Sequence, residues 1–134
     1  MGRWQEIDHT ADLALHLWAD DLCDLFVTAA RGMFALIVRL DGVQPERETV
    51  IELEAFDVET LLVDWLNELL YLVEVQGVEF ALIEVDHVSA TRLRATVRGS
   101  AVTEYSNYVK AATFHNLAVV QTSEGYETEI VFDT

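Results

Sequence analysis

The chain has 134 residues, the size of one domain, and 51% of it is apolar, enough for a core of its own, so disorder is excluded. Asp and Glu number 24 against 8 Lys and Arg, a formal net charge of −16. Strong nucleic-acid binding needs cations that displace counterions from phosphates, so this balance excludes it and points to protein partners or to cations. Acidity also keeps a protein soluble, and that contribution stands beside the first.

Trp4 to Ile7 reads as a short strand. Asp8-His9-Thr10-Ala11-Asp12 is polar and turn-like. Leu13, Leu15 and Leu17 then alternate with Ala14, His16 and Trp18, a period-2 strand with apolar groups on both faces and therefore central in its sheet. Asp20 or Asp21 can cap a helix whose stripe is Leu22, Phe26, Ala29, Ala30, Met33 and Ile37, with Cys23 expected as a small buried side chain beside it. Asp41-Gly42 and Gln44-Pro45 end that unit in a loop. Thr49 to Ala55 reads as a strand, and Asp57 caps a second helix from Val58 to about Val73.

The stripe of that second helix is wide: Leu61, Leu62, Trp65, Leu66, Leu69, Leu70 and Leu72. Such a helix is covered on more than one side, and Asp64, Asn67, Glu68 and Glu74 mark its wetter face. Gly77 closes it. Phe80 to Val88 and Leu93 to Gly99 form a hairpin turning at Ser89-Ala90-Thr91. A polar stretch reaches Asn107, Val109 to Val120 is one long β-prone run, and Glu127 to Phe132 is the last strand. Most connections are hairpin-like, so the expected fold is a single α+β domain over residues 1–134: two helices packed on a mostly antiparallel sheet, a sandwich of strand-helix-strand-strand type.

Cys23 is the one cysteine, so no intrachain disulfide forms, which suits a reducing compartment. The opening Met1-Gly2-Arg3-Trp4-Gln5-Glu6 carries no apolar signal segment, and the longest apolar stretch, Leu61 to Val75, is broken by four polar residues. The expectation is a cytoplasmic protein without membrane contact.

Three places could carry chemistry. Asp8, His9 and Asp12 stand close together and could hold a cation, although Asp and Thr side chains capping a turn explain the segment as economically. At the end of the chain, Asp133 precedes Thr134 and its α-carboxylate. If the last strand pairs beside Asp12, three negative groups converge and would need a cation among them. Oxygen-only donors select hard ions such as Ca²⁺ or Mg²⁺. A solvated chain end is the plainer alternative. Lys110, the single lysine, lies in the β-prone run and could pair with those carboxylates or with a substrate anion, or simply face water. His115 reads as a partly buried strand residue. There is no Gly-rich phosphate loop, no G-x-S-x-G, no H-E-x-x-H and no zinc-type Cys/His spacing. Asp21 and Asp24 disfavour a Cys23 thiolate. These absences weigh against an enzyme.

Four blocks together resemble one family. Asp8-His9-Thr10-Ala11-Asp12 with Ala30-Arg31-Gly32-Met33-Phe34 is similar to the N-terminal signature of archeases, and Leu61 to Tyr71 resembles their central helix. Val109-Lys110-Ala111-Ala112-Thr113-Phe114-His115 resembles their lysine-containing strand, and Val131-Phe132-Asp133-Thr134 their ending. The resemblance runs through nearly the whole chain in order.

It implies an α+β sandwich and a non-enzymatic accessory protein. Its partner would be the GTP-dependent RNA ligase that seals tRNA halves, with guanylylation and multiple turnover of the ligase promoted. It implies a calcium site made by Asp12, Asp133 and Thr134, with Asp8, His9, Glu68 and Lys110 as further candidate functional positions. The alternative it offers is a chaperone-like modulator of a tRNA methyltransferase. A metal-assisted hydrolase using His9 or Lys110 is the third reading and lacks a recognisable nucleophile. Two departures stand out. Gly99-Ser100 replaces the family's Gly-Glu, with a short 101–108 segment in which Glu104 is the candidate replacement carboxylate. The final residue is Thr rather than aliphatic.

Overall fold

A computed structural model describes residues 2–9, 12–37, 47–101, 109–114 and 117–134. Strands β1 (Arg3–His9) and β2 (Asp12–Ala19) are followed by helix α1 (Leu22–Ile37), strand β3 (Arg47–Glu54) and helix α2 (Val58–Gln76). Then come β4 (Val78–Val88), β5 (Arg92–Ala101), β6 (Ala111–Ala112), β7 (Val120–Thr122) and β8 (Gly125–Asp133). The strands form two sheets. One has the order β1-β2-β8-β6, with β7 also paired to β8, and the other is β3-β5-β4. Every pairing is antiparallel.

The α+β class and the two helices match the expectation, and the single expected sheet is in fact two. The reason is visible in the helices. Helix α1 packs on β1, β2 and β8 of the larger sheet and on β4 of the smaller. Helix α2 packs on β6 of the larger and on β3, β4 and β5 of the smaller. Each helix therefore has an apolar surface too wide for one sheet to cover. On α2, Leu61, Leu62, Trp65, Leu66 and Leu69 are wholly buried. Trp65 ties the helices together: its indole N–H donates to the Phe26 carbonyl at 2.9 Å, deep in the core. A buried indole needs such a partner, and an exposed carbonyl in α1 would not have served it.

The helix ends follow their sequence signals. Asp21, not Asp20, caps α1, accepting from the Asp24 N–H at 2.7 Å. The Asp24 carboxylate in turn accepts from the Asp20 N–H at 3.0 Å, so the acidic run Asp20-Asp21-Asp24 satisfies backbone donors on both sides of the helix start. Asp57 caps α2 by accepting from the Thr60 N–H at 2.8 Å. The bonds with Thr60 favour the charged form and hold the Asp57 carboxyl below its ordinary pKa. Gly77 ends α2 with φ 63°, the left-handed turn that glycine adopts without strain.

Three expectations need correction. Cys23 is exposed rather than buried: it sits in the first turn of α1, at the end of the helix, where little packs over it. The run Val109 to Val120 is not one strand. Eight residues separate Ala112 from Val120, whereas five separate their partners Phe132 and Glu127, so the chain leaves β8 between β6 and β7. The first hairpin is also tighter than expected: Asp8, His9 and Asp12 belong to its strands, and His9 pairs with Asp12. The loop expected at Asp41 to Pro45, the polar stretch at 102–108 and its Glu104, and His115 lie outside the described residues.

The outer face of the smaller sheet is a cross-strand charge ladder. Glu54 pairs with Arg92 at 2.6 Å, Glu52 with Arg94, and Glu48 with Arg98 at 3.6 Å. Three of the eight basic residues are thereby matched one to one with glutamates on a solvated surface, where such pairs contribute little each. No helix among the described residues is long and apolar enough to cross a membrane.

Candidate functional site

The central position of β2 decides where the candidate residues meet. It pairs with β1 on one side and β8 on the other, as its two apolar faces require. In the β2–β8 ladder Leu13 faces Phe132, so the next step in that antiparallel register brings Asp12, the first residue of β2, level with Asp133, the last of β8. On the far side of β8, Ala111 faces Asp133, and the Lys110 N–H donates to the Asp133 carbonyl at 2.8 Å. On the near side His9 faces Asp12. One end of the larger sheet thus carries His9, Asp12 and Asp133 on three neighbouring strands and Lys110 just before a fourth, residues that the sequence spreads over its whole length.

Asp133, Thr134 and Lys110 are exposed at this end. The side chains of Asp8, His9 and Asp12 lie outside the described residues, and their backbone register is what positions them. Glu68 is half-buried on α2, on the helix that abuts β6. Among the described residues no three His, Cys, Asp or Glu side chains form a cluster. The described acidic side chain at the tip, Asp133, offers carboxylate oxygens, a donor type that suits hard cations.

Sequence reasoning missed Asn67. It was assigned to the solvent face of α2, yet its carboxamide reaches β6: the Ala112 N–H donates to its Oδ1 at 2.8 Å, and its Nδ2 donates to the Ala112 carbonyl at 3.3 Å. Thr113 was also passed over, and its N–H and Oγ1 both donate to the Val131 carbonyl, at 3.0 and 2.9 Å. An amide beside a wide apolar stripe is the only signal that could have suggested the first.

Other features lie elsewhere. A hollow of about 380 Å³ opens at the opposite end of the same sheet, between Arg3, Trp18, Asp20, Ser123 and Glu127. The Arg3 guanidinium stacks 4.5 Å above the Trp18 ring, and the His16 ring lies 4.4 Å from it. His16 also meets Glu127 at 2.5 Å. Cys23 is a poor nucleophile: partial burial first, then the charges of Asp21 and Asp24, raise its thiol pKa. Its Sγ lies 3.9 Å from the Val85 carbonyl.

Two helices held between a five-stranded and a three-stranded antiparallel sheet, with charged residues gathered at one sheet end, define an α+β sandwich with a polar tip. The chain belongs to the archease family: the Archease protein family matches residues 4–134. It is similar to the protein archease of Methanopyrus kandleri, 39% identical over 137 residues that cover 97% of this chain and 98% of the relative. It is also similar to the protein archease of Archaeoglobus fulgidus, 34% identical over 135 residues and 98% of both chains. Among solved structures, the solution structure of Methanobacterium thermoautotrophicum protein 1598 superposes with a TM-score of 0.79 at 26% identity, covering 98% of each chain. The crystal structure of an archease, described as a possible chaperone, from Thermotoga maritima superposes at 0.70 with 21% identity over 97% of this chain and 96% of that one, a likeness of fold.

Proposed function

We propose that this protein is a non-enzymatic accessory factor that binds a hard divalent cation and activates the GTP-dependent tRNA-splicing RNA ligase by promoting its guanylylation and multiple turnover. The observation that carries the reading is the register that sets Asp12 level with Asp133 at the end of the larger sheet. Like charges at facing strand positions repel, so such a pair calls for a counterion.

Asp12, Asp133 and Thr134 would hold calcium, or another hard cation such as magnesium. Bound there, the cation would neutralise the carboxylates and polarise oxygens of a phosphate group brought to the tip. The chain's own residues do the rest. Lys110, exposed and fixed beside Asp133 by its backbone N–H, offers a positive charge to the same phosphate. Asp8 and His9 belong to the strand beside Asp12, and Glu68, on α2, is a further candidate. Activation without turnover means that the factor binds one conformation of the ligase more tightly than another and shifts the population towards it.

The test is ligase guanylylation with GTP, measured with and without this protein and with its Asp12→Ala and Asp133→Ala variants. The variants should fold as the parent does, by circular dichroism, and lose the stimulation. Stimulation unchanged in both variants rejects the reading.

The net charge of −16 favours a second reading, a chaperone-like modulator that covers the basic RNA-binding face of a tRNA methyltransferase. Binding of that kind weakens steeply with added salt and is indifferent to Asp12. Salt-insensitive binding would dismiss it.

A further inference from the structure

We propose that Asn67 is a positioning residue, whose carboxamide acts as a surrogate strand that holds Lys110 at the tip. The functional half of this inference rests on the reading of the tip given above; the geometric half stands without it.

Strand β6 has two residues and lies at the sheet edge. A strand so short has little hold of its own and opens readily. On the β8 side it is fastened by the Lys110 N–H to the Asp133 carbonyl and by the Thr113 N–H to the Val131 carbonyl. On its other side the Ala112 N–H and C=O would face outward unpaired. Asn67 satisfies both at once, one as acceptor and one as donor, which is what a residue in a neighbouring strand would do.

The carboxamide is carried by a helix whose apolar stripe lies in the core. Its neighbours Trp65, Leu66 and Leu69 are wholly buried. The position of α2 is thus passed through one side chain to Ala112, and so to Lys110 two residues earlier. Only an amide of this length offers a donor and an acceptor together here. Aspartate keeps the acceptor and sets a second oxygen against the Ala112 carbonyl, and alanine offers neither.

The experiment combines residue-resolved amide exchange with the guanylylation assay, on Asn67→Ala, Asn67→Asp, Lys110→Ala and the double variant N67A/K110A. Exchange of the Lys110 and Thr113 amides should quicken by about tenfold or more in both Asn67 variants, while Leu69 in α2 stays protected. N67D keeps the shape and one bond, so it decides the matter if N67A does not fold. In the assay N67A should lose about the factor that K110A loses, and the double variant no more than K110A alone, because Asn67 acts through Lys110. Unchanged exchange at Lys110 in both Asn67 variants overturns the proposal, as do losses that multiply in the double variant. If the parent itself gives no stimulation, the functional reading falls, and the exchange arm still decides whether Asn67 holds the strand.

Discussion

Replacing Asp133 by Asn should change stability with opposite sign in the absence and presence of a divalent cation. Facing positions of an antiparallel pair lie about 5 Å apart. Two carboxylates at that distance repel by about 1 kcal/mol at the dielectric of water and about 3 kcal/mol at an effective value of about 20. Asp133 is exposed, which places the repulsion at the lower end. For a 134-residue chain the specific unfolding entropy makes each kcal/mol worth about 3.5 °C in melting temperature. In chelator, Asp133→Asn should therefore melt about 3.5 °C above the parent. With calcium at about a hundred times its dissociation constant, the parent gains about 2.7 kcal/mol, or about 10 °C, and the variant gains little. The order of the two melting curves inverts. Differential scanning calorimetry in chelator and in calcium reads both signs. A variant that stays on the same side of the parent in both buffers refutes the argument that Asp12 and Asp133 form one cation-dependent charge pair.

Two further outcomes follow from the packing and the caps. Trp65→Phe removes the buried bond to the Phe26 carbonyl and leaves a small void, and should cost about 1–3 kcal/mol in urea unfolding without altering the tip. Asp57 has its folded-state pKa lowered by its bonds with Thr60, so its contribution is present above the unfolded value and is lost as pH falls through the folded one. Asp57→Ala should melt below the parent at neutral pH, and the gap should close as pH drops beneath the usual carboxylate range, as thermal scans against pH would read.

Much of this was legible in the residues because local rules act over a few positions. The period-2 alternation around Leu13 to Trp18 and its two apolar faces announced a central strand, and β2 is one. Asp57 and Gly77 bounded α2 because capping chemistry depends on a few neighbouring backbone groups. The same locality explains the misses. Cys23 looked buried because it shares the face of Phe26 and Ala30, and periodicity does not say how far the covering elements reach over the first turn of α1. Val109 to Val120 has the composition of a strand, and its division depends on where β8 offers partners.

By itself, then, the sequence determined the elements, their caps, the acidic balance and the residue types that could bind a hard cation. It could not determine that the larger sheet gathers His9, Asp12, Asp133 and Lys110 at one end, since that follows from strand order and register between segments more than a hundred residues apart. Nor could it reveal Asn67 as the partner of Ala112, 45 residues away. Helix periodicity is set by the nearest turn of chain, but a side chain that closes a sheet edge is chosen by what the fold brings alongside it.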